Sequence, residues 1–600
     1  MAKIIYACSR KSAFDRTTEA KLRRTCERLE PDNLSRPVAH KVAVDAHVAY
    51  AVINSGSVLV EGDNVLLGAL YEPHASWHKP RSGQPDGSYA IFRSSDECLE
   101  VLSDAAGTRT VWYVFDDEQF VASTSQRAMV MFLGNFRFND AVVPWMLSTG
   151  SLGPDASWDM RIRRLPPDAS LTLDKATWSM RVERKPIEFA EQPRPRTRHR
   201  ELLLSDIRAV MSSLKGLAQI GFDDYRLPLS GGYDSRAILC FLAEGGVPQN
   251  LKAITWGLER SINRKGNDAA LARELAGAVG VAHRYFHTDV RAESIDKVID
   301  RFIHCGEGRI DHLSGYSDGL ETWRRLVEDE GCRGIIRGDE GFGWIPVSSE
   351  SSVRLSVGTA LCSDFRNLRG ISAKFGLPKQ ELPRELCRRK GETLEAWRDR
   401  LYHAFRMPTV LAALSDIKYS YVEVINPLLA RAILRRVREL PDRLRTDKAL
   451  FRDIVRSVGP QVPFASEGAI ANINSLLKKK EVVELMRKKL ASDSANRIFI
   501  GDFLAYVSGG TRVESAPRKG KGKSSWRAIR SLVPRFVKNW IRDLALKPSV
   551  DGNVLAFRVF LIVRMNEVLS ADCAAIALAD GASDQRPAEA RPAQRYALSR

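Results

Sequence analysis

The sequence predicts an α/β protein of two domains. The first is a β-rich α+β sandwich, and the second is a doubly wound parallel sheet with a helical C-terminal part. Three observations predict it. Residues 1–185 alternate short β-type runs with turns, among them Lys41-Val-Ala-Val44, Tyr89-Ala-Ile-Phe92, Thr110-Val-Trp-Tyr-Val-Phe115 and Phe120-Val-Ala-Ser123. Beyond a Pro- and Arg-rich linker at 186–200, strand-like and helix-like stretches alternate, as a parallel sheet requires. At 600 residues the chain is also too long for one core.

The linker leads into an amphipathic stretch, 201–217, and then into the segment that organises the second domain. Leu227-Pro-Leu229 is a short apolar run of the kind a buried strand shows. It breaks at Ser230-Gly231-Gly232, whose glycines are expected to supply backbone angles closed to other residues. Ala237-Ile238-Leu239 with Phe241 and Leu242 continues as a helix. Strand, glycine turn and helix aim several N–H groups at one point, where the helix dipole adds partial positive charge. Such a turn suits a phosphate or pyrophosphate, and Asp234 at its mouth can hold the Mg2+ that accompanies nucleotide phosphates. The lysine of a Walker loop is missing.

Lys252-Ala-Ile-Thr-Trp-Gly257 reads as the next strand, and Asn267 to Gly280 as a helix with a glycine stop. His283 and His287 fall on a following strand, on one side but too far apart to share an ion. Gly334-Ile-Ile-Arg-Gly-Asp-Glu-Gly-Phe-Gly343 reads as strand, carboxylate pair and glycine turn. Asp234 and Asp339, at the ends of two strands, are what a Mg2+ bridging ATP phosphates requires.

Bulk properties narrow the class. No apolar run reaches the eighteen residues of a membrane span, and the N-terminus turns polar too soon for a signal peptide. The nine cysteines are scattered without a Cys-x-x-Cys pair, as reduced thiols of a cytoplasmic protein would be. The net charge of +18 calls for solvated basic faces or an acidic partner, and no nucleic-acid motif accompanies it.

Ser230-Gly-Gly-Tyr-Asp-Ser235 resembles the pyrophosphate loop of the ATP-pyrophosphatase enzymes, such as asparagine synthetase. Gly338-Asp-Glu-Gly-Phe-Gly343 is similar to that family's second motif, and Asn426-Pro-Leu-Leu429 and Lys448-Ala-Leu-Phe-Arg452 follow its C-terminal region in order. The resemblance implies an enzyme that uses ATP and Mg2+, transfers AMP to a carboxylate and releases pyrophosphate. It implies an ATP and pyrophosphate site at Leu229, Ser230, Gly231, Gly232, Asp234, Ser235, Ile254, Gly257 and Gly338, with Asp234 and Asp339 as the catalytic, metal-holding carboxylates. One departure concerns a family lysine expected after Gln461, where this chain has Phe464-Ala-Ser-Glu-Gly468. That lysine is absent near Glu467 or supplied from elsewhere, with Lys478 to Lys480 as candidates.

Residues 1–185 are similar to the family's glutamine-hydrolysing domain at Asp86-Gly-Ser-Tyr-Ala-Ile-Phe92, at Ser103-Asp-Ala-Ala-Gly107 and at Ile162-Arg-Arg-Leu-Pro-Pro167. The family's nucleophile is a cysteine at position 2 whose free α-amine serves as base. Here position 2 is Ala2, and Cys8 lies inside the chain without an α-amine. The family's glutamine-binding stretch is also unrecognisable near Leu67-Gly-Ala-Leu-Tyr71. The domain is expected to be a scaffold.

The sequence thus divides into 1–185, 186–200, an ATP-binding part at 201–575 with a basic, mobile loop at 515–525, and a disordered tail at 576–600. Without a glutaminase, the amine must come with the substrate or from solution. Asparagine synthesis from ammonia, β-lactam closure and macrolactam closure of a lasso precursor peptide all fit. The length, charge and extra C-terminal material favour the peptide, whose partners would include a leader peptidase or leader-binding protein. The tyrosine of β-lactam synthetases is replaced by Ile336. A non-catalytic nucleotide-binding scaffold is the alternative of a different class.

Overall fold

The computed structural model describes residues 2–217, 220–289, 291, 293–514 and 547–577. The basic loop at 515–525 and most of the expected tail lie outside them.

The N-terminal part is two six-stranded antiparallel sheets packed face to face. Lys3–Ser9 shows how a strand serves two cores at once. Its side chains alternate, as the pleat dictates. Ile4, Tyr6 and Cys8 enter the apolar layer between the sheets with Tyr50, Val52, Leu67 and Phe92. Ile5 and Ala7 face the opposite way, towards helices Arg16–Leu29 and Gln126–Leu133.

The second part is built on a five-stranded parallel sheet. Its spatial order is Ala282–His287, Lys252–Gly257, Tyr225–Pro228, Gly334–Ile336, Glu423–Ile425. The chain therefore builds outward in one direction and then resumes beside its first strand. That reversal leaves a crevice beyond the carboxyl ends of Tyr225–Pro228 and Gly334–Ile336, the usual ligand position in open α/β sheets. The helix before the sheet spans Arg196–Gly216. It starts within the stretch expected to be linker, because Pro195 presets the entry to its first turn.

The last helix, Gly552–Ala577, packs on Lys480–Leu490 and Ile295–Gly306 of the second part and bridges from there to the first. It runs past residue 575 and packs on Gln126–Leu133 and Val142–Thr149 of the first domain. The buried carboxylate of Asp572 receives Arg127 Nε at 2.7 Å and Arg28 Nη2 at 2.7 Å. No helix among the described residues is long and apolar enough to cross a membrane.

The motifs that resemble a glutamine-hydrolysing domain hold the two parts together. Asp86 accepts from the backbone N–H of Gly87 and, across the interface, of Arg431 at 2.8 Å, where the helix Arg431–Arg438 begins. Ser88 Oγ accepts from Asn426 N at 3.0 Å. Ala2 is fully buried, and its carbonyl accepts from Arg109, which is also paired with Glu423. Cys8 is buried within its strand, and burial pushes its thiol up from the ordinary value.

Candidate active site

Strand Tyr225–Pro228 turns at Ser230 into helix Asp234–Ala243, and strand Gly334–Ile336 turns at Gly338 beside it. The two turns touch. A Cβ on Gly338 would stand 2.9 Å from Ser235 N and 3.1 Å from the carbonyl carbon of Asp234. Only glycine allows backbone to approach this closely, and the approach brings the Asp234 and Asp339 carboxylates to one crevice.

The glycines of the first turn act through space rather than through backbone angle. Neither Gly231 nor Gly232 has a positive φ, contrary to the expectation from sequence. A Cβ on Gly231 would come within 2.9 Å of Ala465 Cβ and 3.0 Å of Leu271 Cβ. Segment 464–469 therefore closes directly over the turn, with Ala465 N donating to Gly231 O at 3.1 Å. It also covers Gly257, where a Cβ would meet Ala469 O at 2.5 Å. Leu229 and Ile254 are buried on adjacent strands, joined by a bond from Leu229 N to Ile254 O at 2.8 Å.

The polar atoms of the turn are already ordered. Ser235 Oγ accepts from Ser230 N at 2.9 Å and lies 3.0 Å from Ser230 Oγ, which accepts from Gly232 N at 3.2 Å. Gly231 N donates to Asp268 Oδ1 at 2.7 Å. Asp268 thus places a carboxylate oxygen on an amide of the cradle. It stands in the first turn of the helix Asp268–Val279, a position that no sequence expectation assigned to the site.

The cation at the site is Lys448. Its Nζ lies 3.0 Å from both Asp234 oxygens and 2.8 Å from Glu340 Oε1. Burial alone would lower its pKa, but Glu340 and Asp234 hold it well above the ordinary value. Lys478 and Lys480 are elsewhere, paired with Asp551 and Glu484. They were poor candidates because only chain distance, not the fold, suggested them. Lys448 reaches the site because Phe342 stacks on Phe451 at 3.8 Å and Asp447 N donates to Trp344 O at 2.8 Å, docking the two turns. Where the family lysine was sought, Phe464 instead stacks on Tyr233 at 3.9 Å, with the Arg452 guanidinium 5.0 Å from the Tyr233 ring.

The carboxyls are short of positive charge. Burial pushes Glu340 up to about 7, against the pull of Lys448 and with Asp234 adding to the rise. Burial likewise raises Asp339, partly offset by Arg337, 3.2 Å away, and by Lys418, while Asp234 raises it further. A divalent cation is the group that would relieve this shortage. Among the described residues no three His, Cys, Asp or Glu side chains form a complete metal cage. Asp234 and Asp339 fit the other arrangement, in which two carboxylates and phosphate oxygens share Mg2+.

No curated protein sequence matches the chain. Solved structures similar to part of it include two enzymes. The allosteric regulatory enzyme of purine biosynthesis is 10% identical, with 47% of this chain and 80% of that chain covered and a TM-score of 0.21. Glutamine phosphoribosylpyrophosphate amidotransferase from B. subtilis, complexed with ADP and GMP, is 10% identical, with 47% of this chain and 65% of that chain covered and a TM-score of 0.20. At such scores neither likeness bears on the chemistry. Residues 223–314 match the asparagine synthase family model. The match contains the cradle, Asp234, Gly257 and Asp268, and ends before Gly338, Asp339, Glu340 and Lys448. Over residues 223–314 the chain is thus similar to asparagine synthase, with the Ser230–Ser235 turn near the start of the matched stretch.

Proposed function

We propose that the chain is an AMP-forming carbon–nitrogen ligase that closes a macrolactam in a lasso precursor peptide. The observation that carries the ligase reading is the contact of Gly338 with the Asp234–Ser235 peptide, which unites Asp234, Asp339, Glu340 and Lys448 around the glycine cradle. The asparagine synthase match supports ATP-dependent amide formation. A basic chain with a dead-end N-terminal domain supports a peptide that brings its own amine.

In this mechanism the substrate carboxylate attacks the α-phosphorus of ATP, the bond to the β-phosphate breaks and pyrophosphate leaves into the cradle. Asp234 and Asp339 would hold Mg2+, which supplies charge neutralisation to the phosphates. Lys448 stabilises charge that grows on the phosphoryl oxygens. The peptide's amine then attacks the acyl carbon and AMP departs. Glu340, with a pKa near neutrality, takes the proton the amine loses. Holding amine and acyl group in one molecule makes the step internal, worth several kcal/mol.

The test is ATP–pyrophosphate exchange with purified full-length chain, followed by mass spectrometry of the peptide. Exchange driven by an Asp- or Glu-bearing peptide, with a product lighter by one water, supports the reading. Exchange driven only by free aspartate would move the assignment to a small-molecule ligase. No exchange with any acid overturns it.

A further inference from the structure

Residues Tyr402–Leu411 wind as a π-helix with Pro408 inside it. Such windings are rare and collect at functional sites. The wide turn brings Tyr402 and Arg406 to one side, where both meet Trp344. The Trp344 and Tyr402 rings lie 5.0 Å apart. The Arg406 guanidinium lies 5.2 Å from the first ring and 5.9 Å from the second. Trp344 in turn lies 5.9 Å from Lys448 Nζ, so Arg406 stands one side chain away from the reacting groups.

Arg406 is half-buried, and its Nε is buried with no hydrogen-bond partner. Among the described residues it makes no ion pair, whereas Arg337 has Asp339 and Lys448 has Asp234 and Glu340. A buried donor without an acceptor opposes folding until a ligand supplies one. The ring faces favour the cation and fix its plane, but they leave its fork of N–H groups unused. A planar fork matches a carboxylate, which accepts two parallel bonds. Ile345, next in sequence to Trp344, is an apolar side chain left 48% exposed.

We propose that Arg406 receives the carboxylate that is to be adenylated, with Trp344 and Ile345 contacting the apolar groups beside it. This rests on the ligase reading above and names the substrate-binding residue of that site. The ligand class is a carboxyl side chain on an apolar segment, a better match to a peptide than to a free amino acid.

The experiment is ATP–pyrophosphate exchange by the full chain with synthetic peptides that have a free N-terminal amine and one internal Asp or Glu. Matching amide peptides serve as controls. Arg406→Gln should raise the peptide concentration for half-saturation about ten- to hundredfold, the loss of a charge-assisted pair, and leave that for ATP unchanged. Arg406→Lys keeps the cation over the rings and should recover part of the loss. Thermal melting of both variants reports the fold. An unchanged peptide half-saturation in Arg406→Gln overturns the assignment and leaves the ligase reading intact. An equal shift for ATP and peptide also overturns it. Silence of the wild-type chain with every peptide sinks the ligase reading and this assignment together.

Discussion

Lys448→Met tests the electrostatics of the site, because it keeps the length of the side chain and removes the ammonium. The two carboxylates it leaves are unequal. The Asp234 side chain is 33% exposed, so water screens its loss, while that of Glu340 is 3% exposed and has no such recourse. The cost therefore falls on Glu340. Removing one partner of a buried pair costs about 3–5 kcal/mol, and uptake of a proton by the stranded carboxyl limits it. Glu340 titrates near 7, above its ordinary value, so its ionisation opposes folding as pH climbs from about 4.5 through 7. Lys448 offsets part of that in the wild type and nothing does in the variant. The expected loss is about 3 kcal/mol at pH 8 and about 1 kcal/mol at pH 5.5, where Glu340 is protonated in both proteins. Denaturant unfolding at the two pH values measures it. AMP formation at pH 8 should fall at least about a hundredfold, as when a transition-state donor is lost. A stability loss equal at both pH values, or AMP formation near the wild-type rate, would refute the reasoning.

Three further outcomes are expected. Asp234→Asn and Asp339→Asn should each lower AMP formation by about a hundredfold or more while circular dichroism stays native, and Mg2+ titration should show weaker metal dependence. Gly338→Ala should cost about 1–3 kcal/mol in unfolding and weaken ATP binding measured by calorimetry, since its methyl would meet Ser235 N at 2.9 Å. The purified chain should release no ammonia from glutamine, and Ala2→Cys should not restore it, because position 2 is fully buried and its carbonyl is held by Arg109; coupled detection of free ammonia decides both.

Much of the second domain was legible locally. The strand at 252–257, the asparagine cap and the glycine stop of Asp268–Val279 all rest on nearest-neighbour chemistry and lie where expected, while the run at 227–229 belongs to a strand that begins two residues earlier, Tyr225–Pro228. The role given to Gly231 and Gly232 was misread because room for a neighbour 234 residues away, Ala465, leaves no trace in a local pattern. Lys448 sat inside a recognised stretch, yet only the docking of Phe342 on Phe451 turns it towards Asp234 and Glu340. Arg406 had no local signal at all.

The sequence by itself determined that a strand, a tight glycine turn and a helix would form at 225–243, and that position 2 carries no nucleophile. Both are properties of a few adjacent residues. The tertiary structure decided which charges meet. Sheet order puts Gly334–Ile336 beside Tyr225–Pro228, which brings Asp339 and Glu340 to Asp234, and the docking of Phe342 on Phe451 adds Lys448 from 214 residues away. Backbone sterics act over a few bonds, whereas the energy of a buried charge depends on whatever the fold sets within a few ångströms of it.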